Sequence, residues 1–261
     1  MGIIIVILVV LCILFATNKI TLNNNSNQDK INNKTNNNNQ SKKEENTNSY
    51  TINYKEETYT TKNKEAIENT NNKRNVITIE NKNNPNAASL IENKLNEISD
   101  KMWEEIKNMA DDSNENPSTG LGVNYLIETG EITNNRLTFI VNTVGSFGGV
   151  SWDNNEGYNF DATTGNLLKL TNLGTGVFDY IYNQSITQIE KNNTESSCLE
   201  EDWKDRVKTE LNKDGNWYFT KDGIKVIFPK YSLACGAEGS KFIDISKNDI
   251  NSYLNDQYKI K

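Results

Sequence analysis

Apolar positions fall into three regimes along the chain. Gly2 to Ala16, GIIIVILVVLCILFA, is apolar throughout, and Asn23 to Asn48 carries almost no apolar residue. From Tyr50 onward apolar and polar positions repeat with periods that specify elements. Tyr50, Ile52 and Tyr54 alternate with polar residues on to Tyr59, and Val76 to Ile79 forms a second short run, so both read as strands. Asn84-Pro85 marks a helix start, with Asn as cap and Pro at the first helical position. Ile91, Leu95, Ile98, Met102, Ile106 and Met109 then follow at spacings of three and four, one apolar stripe on a helix.

After Pro117 the pattern returns to strands: Val123 to Thr129, Leu137 to Val144 and Val150 to Phe160, with turns at Gly130-Glu131 and Asp153-Asn154-Asn155. Asp161 to Gly165 is a further turn leading into a strand at Leu167 to Leu170. Helices are predicted from Val177 to Lys191 and from Leu199 to Leu211. Gly215 to Gly239, GNWYFTKDGIKVIFPKYSLACGAEG, reads as a hairpin around Lys221-Asp222-Gly223, where Gly supplies a positive φ, followed by Tyr231 and a small-residue loop from Ala234 to Gly239. A strand at Lys241 to Ile245 and a short helix near Asp249 to Leu254 complete the chain. Runs of strands interrupted by blocks of helix predict an α+β fold, antiparallel sheets packed with three to four helices. The expected organisation is an apolar segment at 1–22, an Asn-rich linker at 23–48, and two α+β halves at 49–118 and 119–261.

The apolar run is about 22 Å long as a helix, short of the roughly 30 Å hydrocarbon core. Extension to Leu22 with Lys19 snorkelling makes a membrane anchor over residues 2–22. Cleavage after Ala16, a lipoprotein signal at Cys12 or a buried core element are the alternatives. No Lys or Arg precedes the run and several lysines follow it, a charge bias that would by itself place the body in the cytoplasm. The polar stretch after it buries too little to offset its ordering entropy and is expected to act as a disordered tether.

The chain of 261 residues has a formal charge of −7, three Cys and no His. Without histidine there is no Ser-His-Asp or Cys-His nucleophile and no His-ligated zinc. The acidic balance and scattered basic residues argue against nucleic acid. No cofactor or metal is expected, since the Asp-Asn clusters lack a calcium-loop spacing. Asp153 with Glu156, and Asp161 with Asp179, are the carboxylate pairs on which a glycan hydrolase reading would rest.

The order of elements from Tyr50 to Leu254 resembles the extracellular portion of RsiV-type anti-sigma factors, which bind lysozyme. The Trp217 to Gly239 block carries most of the likeness: aromatic strand, Asp-Gly turn, Val226-Ile227-Phe228, Tyr231, then a small-residue loop. Similar regions accompany peptidoglycan deacetylase domains. Relatives place an aromatic near position 235, where this chain has Cys235. No sigma-binding segment precedes the apolar run, so sigma-factor inhibition is not expected. The resemblance implies a membrane-tethered, non-catalytic binding domain with its body outside the cytoplasm, recognising lysozyme or a peptidoglycan fragment. A wall hydrolase or a purely structural envelope protein are the alternatives.

Export in turn implies a Cys198–Cys235 disulfide, against two unpaired thiols. The candidate ligand-binding residues are Tyr231, Cys235 and Glu238 in the loop, with Glu238 as an exposed acidic tip for a basic partner, and Trp152, which with Tyr158 could form a sugar-stacking platform. For Glu238 a solvated loop charge, and for Trp152 a core or cross-strand role, are the competing readings.

Overall fold

The computed structural model describes residues 49–60, 72–112, 121–147, 150–193 and 198–261. The expected anchor at 2–22 and tether at 23–48 lie outside them. Among the described residues no helix is long and apolar enough to cross a membrane.

Five strands form the first sheet in spatial order β1 to β5: β1 Thr51–Tyr59, β2 Asn72–Glu80, β3 Leu121–Ile132, β4 Arg136–Phe147 and β5 Val150–Asp161. Alternation sets its inner face; in β3, Leu121, Val123, Tyr125 and Ile127 are buried while the residues between them are not. Helix α1, Pro85–Asp112, crosses this face with Ile91, Leu95 and Ile106 essentially inaccessible. Asn84 caps it, its Oδ1 accepting the Ala87 N–H at 3.2 Å.

The sheet is not purely antiparallel as expected. Because α1 carries the chain back along its own length, β3 lies parallel to β2, pairing Lys73 with Asn124 and Arg74 with Tyr125. Asparagine side chains complete this short ladder. Asn75 accepts the Ile127 N–H and donates to the Ile127 carbonyl, and Asn72 accepts the Val123 N–H.

The second layer contains α2 Val177–Asn192, α3 Trp203–Leu211, the three-stranded antiparallel sheet β6 Trp217–Thr220, β7 Gly223–Phe228 and β8 Lys241–Ser246, and the short α4 Lys247–Ile250. Its core runs from Leu168 to Ile260, whereas the first core ends at Ala162. The expected boundary at 118/119 therefore falls inside the first core, and the two cores divide between 162 and 168.

Two predicted elements differ for identifiable reasons. The helix expected from Leu199 begins at Trp203, because residues 198–200 are drawn into backbone pairing with 233–235: the Cys235 N–H donates to the Cys198 carbonyl and the Glu200 N–H to the Leu233 carbonyl. The expected strand at 167–170 reduces to one bridge, Phe160 to Leu167, before a 3-10 turn at Leu170–Asn172. The hairpin stands as read. Gly223 supplies the positive φ, at 157°, and a Cβ there would also lie 1.8 Å from the Ile245 carbonyl oxygen.

Candidate functional site

The connection from β7 to β8, residues 229–240, holds three of the four candidate binding residues. Its first turn is closed by the Ser232 N–H donating to the Pro229 carbonyl at 2.9 Å, with Tyr231 in the third position at φ 69°. That position of such a turn normally belongs to Gly, since it needs a left-handed backbone. Tyr231 is the one non-glycine residue with positive φ among the described residues. What holds it there is its ring, which lies over Gly236 so closely that a Cβ on Gly236 would come within 2.1 Å of Tyr231 Cζ. The Lys230 ammonium sits 5.5 Å from the centroid of the same ring.

The rest of the connection is pinned. Cys198 and Cys235 form a disulfide with Cα atoms 5.6 Å apart. Glu238 follows in a 3-10 turn, Gly236–Glu238, and its carboxylate is engaged within the fold. Oε1 accepts the Cys198 N–H at 3.1 Å and Oε2 pairs with Lys241 Nζ at 2.5 Å. Its side chain is only 17% exposed. The expected exposed acidic tip is thus a latch: a carboxylate spent on a backbone N–H and a lysine is not presented to a partner.

Beside Tyr231 lies an open groove of ≈ 450 Å³, bounded by Pro229 to Ser232 on one side and by Arg206, Thr209, Glu210 and Lys213 of α3 and its C-terminal extension on the other. Glu210 is inward and satisfied, with Lys213 Nζ at 2.6 Å from Oε1 and Asn216 Nδ2 at 2.8 Å from Oε2. Arg206 pairs with Asp202 at 2.6 Å. Lys230 has no carboxylate partner among the described residues. Ser232 Oγ is buried and unpartnered there.

Trp152 lies apart from this site, in β5 of the first sheet. It packs against the first core and over Gly145, its cross-strand partner, where a Cβ would meet Trp152 Cζ2 at 2.1 Å. The cross-strand reading describes its surroundings. Asp153 and Glu156 are three residues apart on β5 and so point to opposite faces. Asp161 is spent on the following turn, accepting the Thr163 and Thr164 N–H groups and the Tyr258 hydroxyl at 2.7 Å. Burial alone would raise its carboxyl, but these donors hold it below the ordinary carboxylate value.

Sequence reasoning did not find the groove, because its two walls, α3 and the β7–β8 connection, are distant in the chain. The one local signal was a bulky Tyr two residues after Pro229.

Residues 170–248 match the family described as Protein of unknown function (DUF3298). They carry a DUF3298 domain. It lies within the second layer and includes α2, α3, the hairpin, the pinned connection and β8. A DUF3298 family member from Bacteroides fragilis NCTC 9343 is similar to the chain with a TM-score of 0.55 at 16% identity, over 83% of this chain and 99% of that one. A DUF3298 family protein from Pseudomonas aeruginosa PAO1 gives a TM-score of 0.48 at 12% identity, over 80% and 95%. No curated protein matches. The Bacteroides likeness shows a shared fold that extends well beyond 170–248 and so takes in the five-stranded sheet as well as the DUF3298 domain.

Proposed function

We propose that the chain is a membrane-tethered, non-catalytic binding protein whose DUF3298 domain works outside the cytoplasm and recognises a peptidoglycan-related ligand through the β7–β8 connection. The observation carrying this reading is a left-handed Tyr231 held by ring packing and a disulfide at the lip of an open groove. Backbone strain persists only where surrounding structure over-determines it, and it concentrates at binding and catalytic sites. The disulfide favours an oxidising compartment. The resemblance to lysozyme-binding ectodomains supports an envelope ligand.

A basic protein such as lysozyme is the second reading, favoured by the formal charge of −7. The groove itself is lined by Arg206, Lys213 and Lys230 against Glu210, which favours an acidic wall fragment over a cationic protein at this position.

Calorimetric titration of the purified chain at low salt with soluble peptidoglycan fragments, and separately with lysozyme, tests both. Heat with the fragments and none with lysozyme supports the first reading, and the reverse supports the second. No heat with either removes both. Release of reducing sugar from the fragments would overturn the non-catalytic assignment. Loss of the DUF3298 domain when protease is added to intact cells checks its exposure.

A further inference from the structure

We infer that the groove between α3 and the Pro229–Ser232 turn takes a carboxylate group of its ligand, with Lys230 as the pairing cation and Ser232 Oγ as a hydrogen-bond donor. Three independent features converge there. Lys230 borders the groove and makes only a cation–π contact, to Tyr231 at 5.5 Å, with no carboxylate against it among the described residues. Ser232, two residues on in the same turn, contributes a hydroxyl that is buried and unpartnered, a condition that costs free energy unless something meets it. The opposite wall adds Arg206 and Lys213, whose charges are already balanced by Asp202 and Glu210 at 2.6 Å each.

The arrangement therefore supplies one uncommitted cation and one uncommitted donor, beside two cations that are already neutralised. A carboxylate, acceptor-only and singly charged, satisfies both uncommitted groups at once. The left-handed turn at Tyr231 is what brings residues 230 and 232 to the same lip, since it folds the chain so that the Ser232 N–H reaches the Pro229 carbonyl. A neutral sugar would leave Lys230 unpaired, and a cationic group would be repelled by it.

This inference rests on the proposed wall-fragment reading only for where the carboxylate comes from. N-acetylmuramoyl-L-alanyl-D-glutamate is the probe, its fully amidated form removes the charge at constant shape, and the N,N′-diacetylchitobiose disaccharide lacks the acidic portion altogether. Titrating the full chain, the acid form is expected to bind at least tenfold more tightly than the amide, the loss of one charge-assisted contact being worth about a factor of ten or more. Lys230→Gln should weaken the acid form by about tenfold and leave the amide unchanged, and Ser232→Ala should weaken the acid form by about tenfold and the amide by less. Ser232→Ala removes a buried unpaired hydroxyl, so its melting temperature should stay level or rise, which separates lost binding from lost folding. Equal binding of acid and amide, or full affinity in both variants, overturns the carboxylate assignment while leaving the wall-fragment reading standing. Failure of all three probes to bind overturns both.

Discussion

At the scale of single residues the molecule uses side chains to hold backbone it could not otherwise keep. Tyr231 at φ 69° costs on the order of 1–3 kcal/mol relative to a residue free of strain, and its ring against Gly236 is the compensation. The two positions are therefore coupled. Gly236→Ala puts a methyl into the Tyr231 ring and is expected to cost about 1–3 kcal/mol in urea unfolding. In a Tyr231→Gly background the ring is gone and the same substitution should cost less than about 0.5 kcal/mol. Additive costs would show that the ring does not define the turn. Tyr258 and Asp161 form a second pair, joined at 2.7 Å. Asp161 is held below its ordinary value, so its contribution to stability is full above about pH 4, where the unfolded carboxyl is ionised, and fades as pH falls through its lower folded value. Tyr258 is pushed up to about 12, first by burial and then by Asp161, so its contribution is full below the ordinary 10.0 and is lost as pH rises toward about 12. Tyr258→Phe should destabilise by about 1–2 kcal/mol at neutral pH, and by less in acid once the depressed Asp161 carboxyl has been protonated. A penalty independent of pH would show that the hydroxyl matters only through other contacts.

At the scale of elements, the β7–β8 connection is ordered by three ties: the disulfide, the Glu238 latch and the short backbone pairing of 198–200 with 233–235. In the chain-entropy view a bridge closing this loop contributes about 3–4 kcal/mol. Cys198→Ser with Cys235→Ser should lower unfolding free energy by that amount. Glu238→Gln should cost about 1–2 kcal/mol in the oxidised protein, because it weakens the contacts to the Cys198 N–H and Lys241. A Glu238→Gln cost near zero would return Glu238 to the role of a solvated charge. These ties also mark where sequence reasoning stops. Strands with clean alternation, such as β3, and the striped helix α1 were legible because one face of each is buried and the period says which. The start of α3 was not, since Leu199 satisfies the helical stripe but the neighbouring Cys198 is committed to Cys235. Nor was the parallel pairing of β2 with β3. Asparagine is abundant enough along this chain to read as compositional bias, yet Asn72, Asn75 and Asn96 complete backbone hydrogen bonds of β2 and β3. Only three-dimensional register distinguishes such working asparagines from incidental ones. The groove was illegible for the same reason, its charges being ordinary lysines and an arginine until folding sets them side by side.

At the scale of the whole molecule, the two cores meet at a polar seam. Arg136 begins β4 in the first layer, yet it is 2% exposed and its guanidinium lies 4.4 Å from the centre of the Phe219 ring in β6. It donates to the Tyr258 carbonyl at 3.0 Å and pairs with Glu131 at 2.7 Å, so one cation ties the first sheet to the C-terminal segment that seals the second core. Asn159 repeats the device from β5, donating to the Trp217 carbonyl and accepting the Phe219 N–H. Polar ties of this kind fix the relative register of two layers in a way that sliding apolar faces would not. They also concentrate the cost of failure, because removing a buried cation strands its partners. Arg136→Leu should therefore lose about 3–5 kcal/mol, and the loss should be graded by distance from the seam. Native-state hydrogen exchange is expected to accelerate most at Tyr258 and Ile260, next in β6, and least in β3. A uniform acceleration across both sheets would mean that the layers unfold as one cooperative unit and that Arg136 adds stability without governing their coupling. A graded response would make the seam the weakest joint in the molecule, and would leave the pinned connection and its groove folded after the C-terminal segment has let go.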